Sequence, residues 1–349
     1  MNNILTVMHV NLAKGFRGGE RQTELLISAL SNYPDVIQVL ACRSDSPLRE
    51  KLKHIRHLTF LDSKNQLDGH CKNQHADIVH AHEAKAVHWA YIYKLIHKTP
   101  YILTRRIDAQ VKEKYLNKKT YSNASALVGI STLISNNLRA KNWGAVYQVP
   151  SVLANLESNP NIGEEFKKTF PNKKIIGHVG ALVDKHKGQK VLIEAAQLLE
   201  DTHPDLHFVF FGNGVDEEEF KSLSKHSKNI TWMGFKENIG DFLPYFDIFA
   251  FPSRNEGLGS TLLDVMNANV PIIASNVGGI PDIVINNVTG VLIEPNDSEV
   301  LKNAIIQLST DEPLQARLVA GAKDQLEKYT PEKMAQSYIT IYNSCRVKK

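Results

Sequence analysis

The sequence predicts an α/β protein of two consecutive domains, each a parallel β-sheet flanked by helices. A chain of 349 residues, 42% of them hydrophobic, is long enough to bury two cores. Short β-rich runs alternate with helical patterns along the chain, which is typical of parallel sheets. Residues 151–172 interrupt this alternation with Asn, Ser, Pro and Gly, which predicts a linker there.

The pattern predicts thirteen strands in two series. Strands of the first series are predicted at residues 4–10, 36–41, 57–61, 78–80, 101–104, 126–130 and 145–149, and helices at 19–30, 46–53, 85–97, 112–123 and 131–140. Strands of the second series are predicted at 174–180, 206–212, 230–233, 248–251, 271–274 and 290–293, with a short helix at 164–169 before them. We therefore assign residues 1–160 and 161–329 to two Rossmann-like domains with a cleft between them, where ligands bind beyond the carboxyl ends of the strands.

Composition favours a cytoplasmic protein. No apolar run approaches the ~20 residues that span a bilayer. The first residues enter a predicted strand without a basic region or a cleavage site, so secretion is not expected. Cys42, Cys71 and Cys345 are too widely spaced for a disulfide framework or a metal knuckle.

Charge is distributed unevenly. Residues 1–150 contain 21 Lys and Arg against 11 Asp and Glu, whereas the remainder contains 20 against 26. Part of the basic excess lies in Arg105, Arg106, Lys112, Lys114, Lys118 and Lys119. These residues indicate either a solvated helix face or a surface for anionic lipid head groups or a phosphorylated acceptor, peripheral at the inner membrane. No nucleic-acid-binding motif accompanies them, so no nucleic-acid partner is expected.

The most informative segment is residues 251–275, which predicts a strand end, a Gly-rich loop, a short helix and another strand. Glycines allow close approach of a ligand to the backbone, and the unpaired N–H groups of a helix start favour an anion. Two acids eight positions apart suit the two ends of an extended ligand. An ordinary strand-to-helix turn is the alternative. The candidate substrate-binding residues are Glu256, Gly257, Leu258, Gly259, Ser260, Thr261 and Asp264.

Two further loops of the second domain follow predicted strands. Lys187 can reach a diphosphate as a mobile point charge, beside Gly180 at a strand end. Gly212 and Gly214 follow the next strand, where a ligand or a simple tight turn requires glycine. A surface lysine and a structural turn are the alternatives, and the turn is the preferred interpretation of residues 277–282.

The first domain offers two candidate loops. Gly18, Gly19 and Glu20 stand at a predicted helix start, where they indicate an anion or sugar contact or a plain helix cap. His80 and His82 share one face of a predicted strand. Their spacing suits a metal, but no third ligand is evident and no metal is expected. Hydrogen-bonded structural histidines are the alternative.

These motifs together resemble the retaining GT-B glycosyltransferases of family 4. The resemblance lies in Pro252-Ser253, Glu256-Gly257, Gly259, Asp264, Met266, Ala268, Pro271 and Ala274-Ser275 for the Glu-x7-Glu signature, and in Lys187-Gly188, Gly212-Asn213-Gly214, Gly278-Gly279, Gly18-Gly19-Glu20 and Asp77–His82 elsewhere. Four positions depart from the family pattern: Ala181 replaces an arginine, Asp264 and Asp282 each a glutamate, and Asn269 a glycine. The loop Gly18-Gly19-Glu20 also lacks the residue that the family has between its second glycine and the glutamate.

The resemblance implies a retaining, metal-independent glycosyltransferase without a cofactor. The donor is a nucleotide sugar, and the acceptor is a cell-surface glycan or a lipid-linked glycan such as lipopolysaccharide core. The resemblance assigns Lys187 to the donor diphosphate, Glu256, as a catalytic residue, to the donor sugar, and Asp264 to the ribose. It places His82 near the reacting sugar as a catalytic residue and the C-terminal helix, 330–349, on the first domain. The alternatives are a non-catalytic sugar-nucleotide or glycan-binding relative and a GT-B sugar-nucleotide epimerase.

Overall fold

The computed structural model describes residues 4–72 and 74–346. Residues 1–3 and 347–349, which the predicted domains include, lie outside the described residues. The chain forms two compact units, one running to Ala154 and resuming at Tyr329, the other spanning Asn155–Lys328. Each unit contains one fully parallel sheet with helices, which confirms the predicted α/β fold class.

The first unit alternates strands and helices. Its elements up to the linker are β1 (Leu5–Asn11), α1 (Gly18–Leu30), β2 (Val36–Cys42), α2 (Pro47–Leu52), β3 (Leu58–Asp62), β4 (Ile78–Ala81), α3 (Ala84–His97), β5 (Tyr101–Arg105), α4 (Tyr115–Ser122), β6 (Ala126–Gly129), α5 (Thr132–Arg139) and β7 (Val146–Gln148). The sheet order is β3-β2-β1-β4-β5-β6-β7. The order therefore reverses between β1 and β4, which is where such sheets place a ligand.

The second unit repeats this plan. Its elements are α6 (Pro160–Lys168), β8 (Lys174–Val179), α7 (Asp184–Lys187), α8 (Gln189–Leu199), β9 (Leu206–Phe211), α9 (Glu217–Leu223), β10 (Ile230–Gly234), β11 (Ile248–Phe251), α10 (Thr261–Asn267), β12 (Ile272–Ser275), α11 (Ile280–Ile283), β13 (Val291–Ile293), α12 (Ser298–Thr310) and α13 (Glu312–Leu326), with 3₁₀ turns at Ile239–Asp241 and Leu243–Tyr245. The sheet order is β10-β9-β8-β11-β12-β13, with its reversal between β8 and β11.

The last helix, α14 (Pro331–Cys345), belongs to the first unit. Thr330 begins it by accepting a hydrogen bond from the backbone N–H of Lys333. Met334, Tyr338 and Tyr342 then pack in the same buried cluster as strand and helix residues of that unit, among them Leu5 and Leu26. The tail thus completes the core of a sheet that the chain left nearly 180 residues earlier.

Three predicted boundaries differ from the structure by three or more residues, and one of them is the start of the helix predicted over 164–169, which begins at Pro160. The division of the chain falls between Ala154 and Asn155, before the predicted 160/161, because α6 packs with the second unit. The predicted helix over 112–123 begins only at Tyr115, since Lys114 has an extended backbone and cannot continue a helix backward. Among the described residues, no helix has both the length and the apolar content needed to cross a bilayer.

Candidate functional site

The reversal point of the second sheet brings Lys187 and Glu256 together. Lys187 ends α7, which follows β8, and Glu256 lies in the loop after the adjacent strand β11. The lysine ammonium donates a hydrogen bond to the Glu256 carboxylate, and the two side chains are only 22% and 17% exposed. The ammonium also lies 5.1 Å from the centre of the Phe251 ring. Two residues predicted to hold different parts of a ligand therefore bind each other here.

Glycines bring the backbone of three loops into close contact around this pair. A Cβ on Gly212 would lie 1.9 Å from the carbonyl oxygen of Gly180, and one on Gly214 would lie 2.2 Å from that of Leu182. Gly188 has φ +64°, and a Cβ there would lie 2.1 Å from the carbonyl oxygen of Pro252. Side chains at these positions would force the loops apart, so the sequence requires glycine for packing here as well as for any ligand.

The turn after β12 holds the backbone of Glu256. The backbone N–H of Gly279 donates to the Glu256 carbonyl oxygen at 2.9 Å. Gly278 has φ +61°, and a Cβ there would lie 2.0 Å from the same oxygen. Of the predicted turn 277–282, residues 277–279 form the turn and residues 280–282 begin α11. What the sequence analysis missed is that this turn fixes the position of Glu256.

Arg254 and Asp184 form a second ion pair beside the first. Their nearest side-chain atoms are 2.9 Å apart, and the backbone N–H of Arg254 donates to the carbonyl oxygen of His186 at 2.9 Å. Ala181, at the position where the related family has arginine, is exposed. Arg254 therefore supplies a guanidinium near the Lys187 loop, although Asp184 already balances its charge.

Helix α10 is short, and its start carries the remaining predicted residues of this loop. Ser260 precedes the helix without a side-chain capping bond, Thr261 is its first residue, and Asp264 lies in its first turn. Leu258 is buried, and the position of a Cβ on Gly259 is 3.4 Å from Cγ of Glu256. Gly257 lies between these residues and is partly buried.

Asn269 lies just beyond the end of α10 and has φ +60°. Asparagine tolerates this left-handed conformation better than other residues with a side chain. The departure from the family's glycine is therefore compatible with the same backbone turn.

His178 is a further buried polar group near Lys187. Its Nδ1 lies 2.9 Å from the carbonyl oxygen of Ala250, so Nδ1 carries the proton and Nε2 an unshared electron pair. Nε2 is buried without a partner and lies 3.5 Å from the position of a Cβ on Gly180. Burial lowers the pKa of His178 to about 4, so the ring is neutral at pH 7. The sequence analysis did not select this residue.

In the first unit, Gly18 and Gly19 begin α1, and Glu20 caps it. The Glu20 carboxylate accepts a hydrogen bond from the backbone N–H of Arg17 at 3.0 Å, as in a capping box. The position of a Cβ on Gly19 is 3.6 Å from Cδ of Arg106. Glu20 therefore has a structural partner, and its predicted contact with a substrate stays a prediction.

Three histidines meet where β1 and β4 lie side by side. His9 pairs in register with His80, and His82 follows β4. Nδ1 of His9 lies 3.0 Å from Nε2 of His82. The two ring nitrogens of His80 lie 2.7 Å from the hydroxyls of Thr104 and Tyr342. His9 was missed, although a histidine in the otherwise apolar strand 4–10 was a signal of it.

A relay of hydrogen bonds fixes which nitrogen of His82 carries the proton. The amide N–H₂ of Gln38 donates to the Ile27 carbonyl at 3.0 Å, so its oxygen faces His9 Nε2 at 3.2 Å. His9 must therefore be protonated at Nε2 and accept at Nδ1, and His82 donates to it from Nε2. Nδ1 of His82 is left as an acceptor, buried and without a partner. His82 can accept a hydrogen bond from a hydroxyl but cannot stabilise an anion.

Burial keeps the histidine cluster neutral. It lowers the pKa of His9 to about 3, against a smaller opposite effect of Gln38, and lowers the pKa values of His80 and His82 well below their usual range. The three rings offer nitrogens within 4.8 Å of one another, so they supply the third metal ligand that the sequence lacked. Both nitrogens of His80 already bind hydroxyls, however. The cation of Arg106 also lowers the pKa values of His80 and His82, by less than burial does.

The predicted basic surface divides in two. Lys112, Lys114, Lys118 and Lys119 are exposed, together with Tyr115 (77%) and Leu116 (52%). We call these six residues the basic patch. Arg106 does not belong to it, because its guanidinium lies 3.4 Å from the Ser151 hydroxyl and burial lowers its pKa. Arg105 bonds to the Ala109 carbonyl within its own unit.

Comparisons with known proteins agree with this arrangement of elements. Residues 162–325 match the family model of glycosyl transferases group 1. CapM, a capsular polysaccharide biosynthesis glycosyltransferase of Staphylococcus aureus, is 25% identical over 192 residues, which are 53% of this chain and half of the length of CapM.

Two solved structures show the same fold along nearly the whole chain. HepE of Anabaena, in complex with UDP and glucose, has a TM-score of 0.83 at 16% identity, over 97% of this chain and 100% of that one. The lipopolysaccharide outer core galactosyltransferase WaaB has a TM-score of 0.70 at 16% identity, over 98% and 99% of the two chains. Residues 162–325 thus match the group 1 glycosyltransferases, and the two parallel-sheet units have the GT-B fold of these solved structures.

Proposed function

We propose that this protein is a retaining glycosyltransferase that transfers a sugar from a nucleotide-sugar donor. The observation that carries the proposal is the meeting of Lys187 and Glu256 at the reversal point of the second sheet, within the matched family region. A cation for a diphosphate and a carboxylate for sugar hydroxyls lie side by side, at the end of the sheet where ligands bind. The similar HepE structure contains UDP and glucose, the two parts of such a donor.

Each residue of the proposed donor site has a chemical task. Lys187 binds the diphosphate and neutralises the charge that develops as it leaves. Glu256 accepts hydrogen bonds from donor sugar hydroxyls, and Asp264 from the ribose. The backbone at Gly212 and Gly214 lines the nucleotide. In the proposed metal-independent mechanism, Lys187, the backbone N–H groups of helix N-termini and a further cation such as Arg254 together neutralise the departing diphosphate.

The proposed reaction retains the anomeric configuration by attack of the acceptor hydroxyl from the side on which the diphosphate departs. Glu256 does not act as a covalent nucleophile in this mechanism. The neutral Nδ1 of His82 accepts a hydrogen bond from a sugar hydroxyl and so orients the reacting sugar. This task follows from the relay through Gln38 and His9, which makes that nitrogen an acceptor.

Release of nucleoside diphosphate from a panel of nucleotide sugars, with UDP-glucose first, tests the activity. Glu256→Gln should lower turnover about tenfold to hundredfold, because a hydrogen bond to a charged group contributes roughly 1.5–3 kcal/mol. The neighbouring Asn255 is exposed, so Asn255→Ala is the matched control and should turn over like the wild type. Wild-type turnover by a folded Glu256→Gln variant would remove Glu256 from the site.

A non-catalytic relative is the second candidate, because Ala181 leaves an exposed position without the family's guanidinium. Binding of a nucleotide sugar without release of its diphosphate, with any acceptor tried, would favour this candidate. An epimerised donor would instead indicate an epimerase. NMR of the transferred sugar distinguishes retention from inversion of its anomeric centre.

The proposed acceptor is a cell-surface or lipid-linked glycan at an anionic membrane surface. CapM acts in capsular polysaccharide biosynthesis and WaaB on the lipopolysaccharide outer core, by their names. The basic patch of the first unit adds four exposed lysines beside the exposed side chains of Tyr115 and Leu116. Such a surface attracts anionic head groups by about 1 kcal/mol per basic residue within a Debye length of about 8–10 Å.

Sedimentation with vesicles tests this surface. Binding to anionic vesicles should exceed binding to neutral ones and should fall as salt rises. Changing the four lysines of the basic patch to Gln should abolish most of it. The matched control changes four exposed lysines of the second unit, Lys168, Lys225, Lys228 and Lys236, to Gln. Equal loss in both variants would indicate a net-charge effect and would contradict a dedicated surface.

A further inference from the structure

Lys187 and Glu256 are each assigned a ligand contact, yet without ligand each is the partner of the other. We propose that Glu256 competes with the diphosphate for Lys187, so that the site favours the intact nucleotide sugar over the nucleoside diphosphate that the reaction leaves behind. This inference rests on the proposed function. It gives a reason why the nucleoside diphosphate leaves and a new nucleotide sugar takes its place.

Binding of a diphosphate must weaken the contact between the two side chains. The ammonium has three donors, so it has hydrogen atoms for both anions. A carboxylate and a diphosphate on the same ammonium would then lie a few ångström apart, and their like charges repel. The repulsion is only partly screened, because both side chains are mostly buried, with 22% and 17% exposed.

The donor sugar decides the balance. When an intact nucleotide sugar binds, Glu256 exchanges the lysine for sugar hydroxyls and keeps hydrogen-bond partners. When only the nucleoside diphosphate is bound, no donor-sugar hydroxyl is present, and Glu256 faces the diphosphate without a partner. Its return to Lys187 then displaces the diphosphate. The site with nucleotide sugar bound and the site with only nucleoside diphosphate bound thus differ in the partner of the Glu256 carboxylate.

The loops around the pair are fixed by other contacts. The Glu256 backbone is held by the Gly279 N–H, and the backbone N–H of Lys187 donates to the carbonyl oxygen of Val183 at 2.9 Å. Neither bond involves the two side chains. Glu256→Gln therefore removes the charge, keeps the shape and leaves both loops in place, which makes it the right substitution for the test.

Calorimetry with nucleoside diphosphates tests the competition. UDP, GDP and ADP are titrated into the wild type, and the tightest of them is compared with its glucose conjugate in each variant. We expect Glu256→Gln to bind the diphosphate about three- to fivefold more tightly than the wild type, the range expected when one ion pair no longer competes. Its affinity for the sugar conjugate should not rise, and its turnover should fall.

Two further variants make the result specific. Glu219→Gln removes the same charge from an exposed pair, Glu219 with Lys190, in the same unit and should leave diphosphate affinity within twofold of the wild type. In a Lys187→Ala background, Glu256→Gln should tighten diphosphate binding less than it does with Lys187 present, because only the repulsion between carboxylate and diphosphate is then removed. An equal or larger gain in that background would show that repulsion alone explains the effect and would overturn the competition.

The outcomes separate this inference from the proposed function. If the wild type turns over a nucleotide sugar but Glu256→Gln does not bind the diphosphate more tightly, the competition is wrong and the glycosyltransferase stands. If the wild type binds neither the diphosphates nor their sugar conjugates, both are wrong. Tighter diphosphate binding combined with slower turnover supports the competition, since a purely structural role for Glu256 would weaken both.

Discussion

At the scale of single residues, hydrogen bonds decide what the chemical groups can do. Residue type alone makes His82 either a donor or an acceptor, and the relay from Gln38 through His9 selects the acceptor. Similarly, the Ala250 carbonyl makes Nε2 of His178 an acceptor. Both nitrogens are buried and lack a partner, although buried polar atoms normally have one. The first and second units thus each present one histidine nitrogen suited to a hydroxyl.

Replacing Gln38 should remove the preference that sets the proton position on His82. In Gln38→Leu, Nε2–H of His9 has no acceptor, so the tautomer in which His9 donates from Nδ1 to His82 is no longer disfavoured. The lost hydrogen bond contributes about 0.5–1.5 kcal/mol to that preference. Side-chain ¹⁵N NMR should show His82 protonated at Nε2 in the wild type and a shift of the proton toward Nδ1 in the variant. Gln148→Leu, at an exposed glutamine, is the control.

An unchanged His82 tautomer in Gln38→Leu would contradict the relay. If the relay holds and His82 orients the reacting sugar, the variant should also lose turnover with little change in diphosphate affinity. Lys187→Ala should differ from Gln38→Leu, because it should lower diphosphate affinity as well as turnover. It should weaken binding of the nucleoside diphosphate much more than binding of the nucleoside, by calorimetry, because the ammonium contacts only the diphosphate.

At the scale of elements, glycines place the loops that follow neighbouring strands. The backbone of the turn before α11 lies close to the Glu256 carbonyl oxygen, and the backbone of the loop after β9 lies close to the carbonyl oxygens of Gly180 and Leu182. These contacts join loops that are far apart in sequence but follow adjacent strands. The position of Glu256 therefore depends on residues outside its own loop.

Gly278→Ala should lower turnover by more than its loss of stability explains. The φ of +61° disfavours alanine, which costs on the order of 1–3 kcal/mol, and the new Cβ would also displace Glu256. Gly234 has a similar φ of +67°, but a Cβ there has no atom within 4 Å. Gly234→Ala should therefore lose comparable stability in urea unfolding while losing much less turnover. Equal losses of turnover in the two variants would contradict a positioning role for Gly278.

At the scale of the whole molecule, the two units should differ in their sensitivity to acid. Burial lowers the pKa values of His9, His80 and His82 in the first unit and of His178 in the second. Burial also lowers the pKa of His70 in the first unit and of His207 in the second, to a smaller extent. Because these rings are uncharged when folded, only the unfolded chain takes up protons once the pH falls below about 6.5.

The first unit should therefore lose stability steeply below pH 6.5 and keep it fully above. Each such histidine contributes about 1.4 kcal/mol per pH unit, so its three most buried ones give about 4 kcal/mol per unit between pH 6 and pH 5. Urea unfolding at several pH values measures this, with Trp89 reporting on the first unit and Trp232 on the second. His9→Gln should flatten the slope for the first unit alone. Equal slopes for both units would contradict the prediction.

The sequence predicted the fold well because its signals are local. Short β-rich runs predicted the thirteen strands of the described residues, and the order of the glycine loops identified the second unit. It could not predict that Lys187 binds Glu256, 69 residues away, because no local pattern records which loops follow adjacent strands. Gln38 was missed for the same reason, whereas His9 was missed although its own strand carried a local signal. The boundary error at α6 arose because Pro and Asn signal a helix start as well as a linker.

The return of the chain at Tyr329 has a consequence for biosynthesis. On the ribosome, residues 155–328 emerge as a continuous stretch and have every strand of their sheet before α14 is made. The earlier-made sheet must wait, because Tyr338 and Tyr342, which bond to Thr104 and His80 respectively, are made after the second unit. The segment made first thus closes its core after the segment made second. Until α14 is made, the first unit lacks the side chains that complete its apolar cluster.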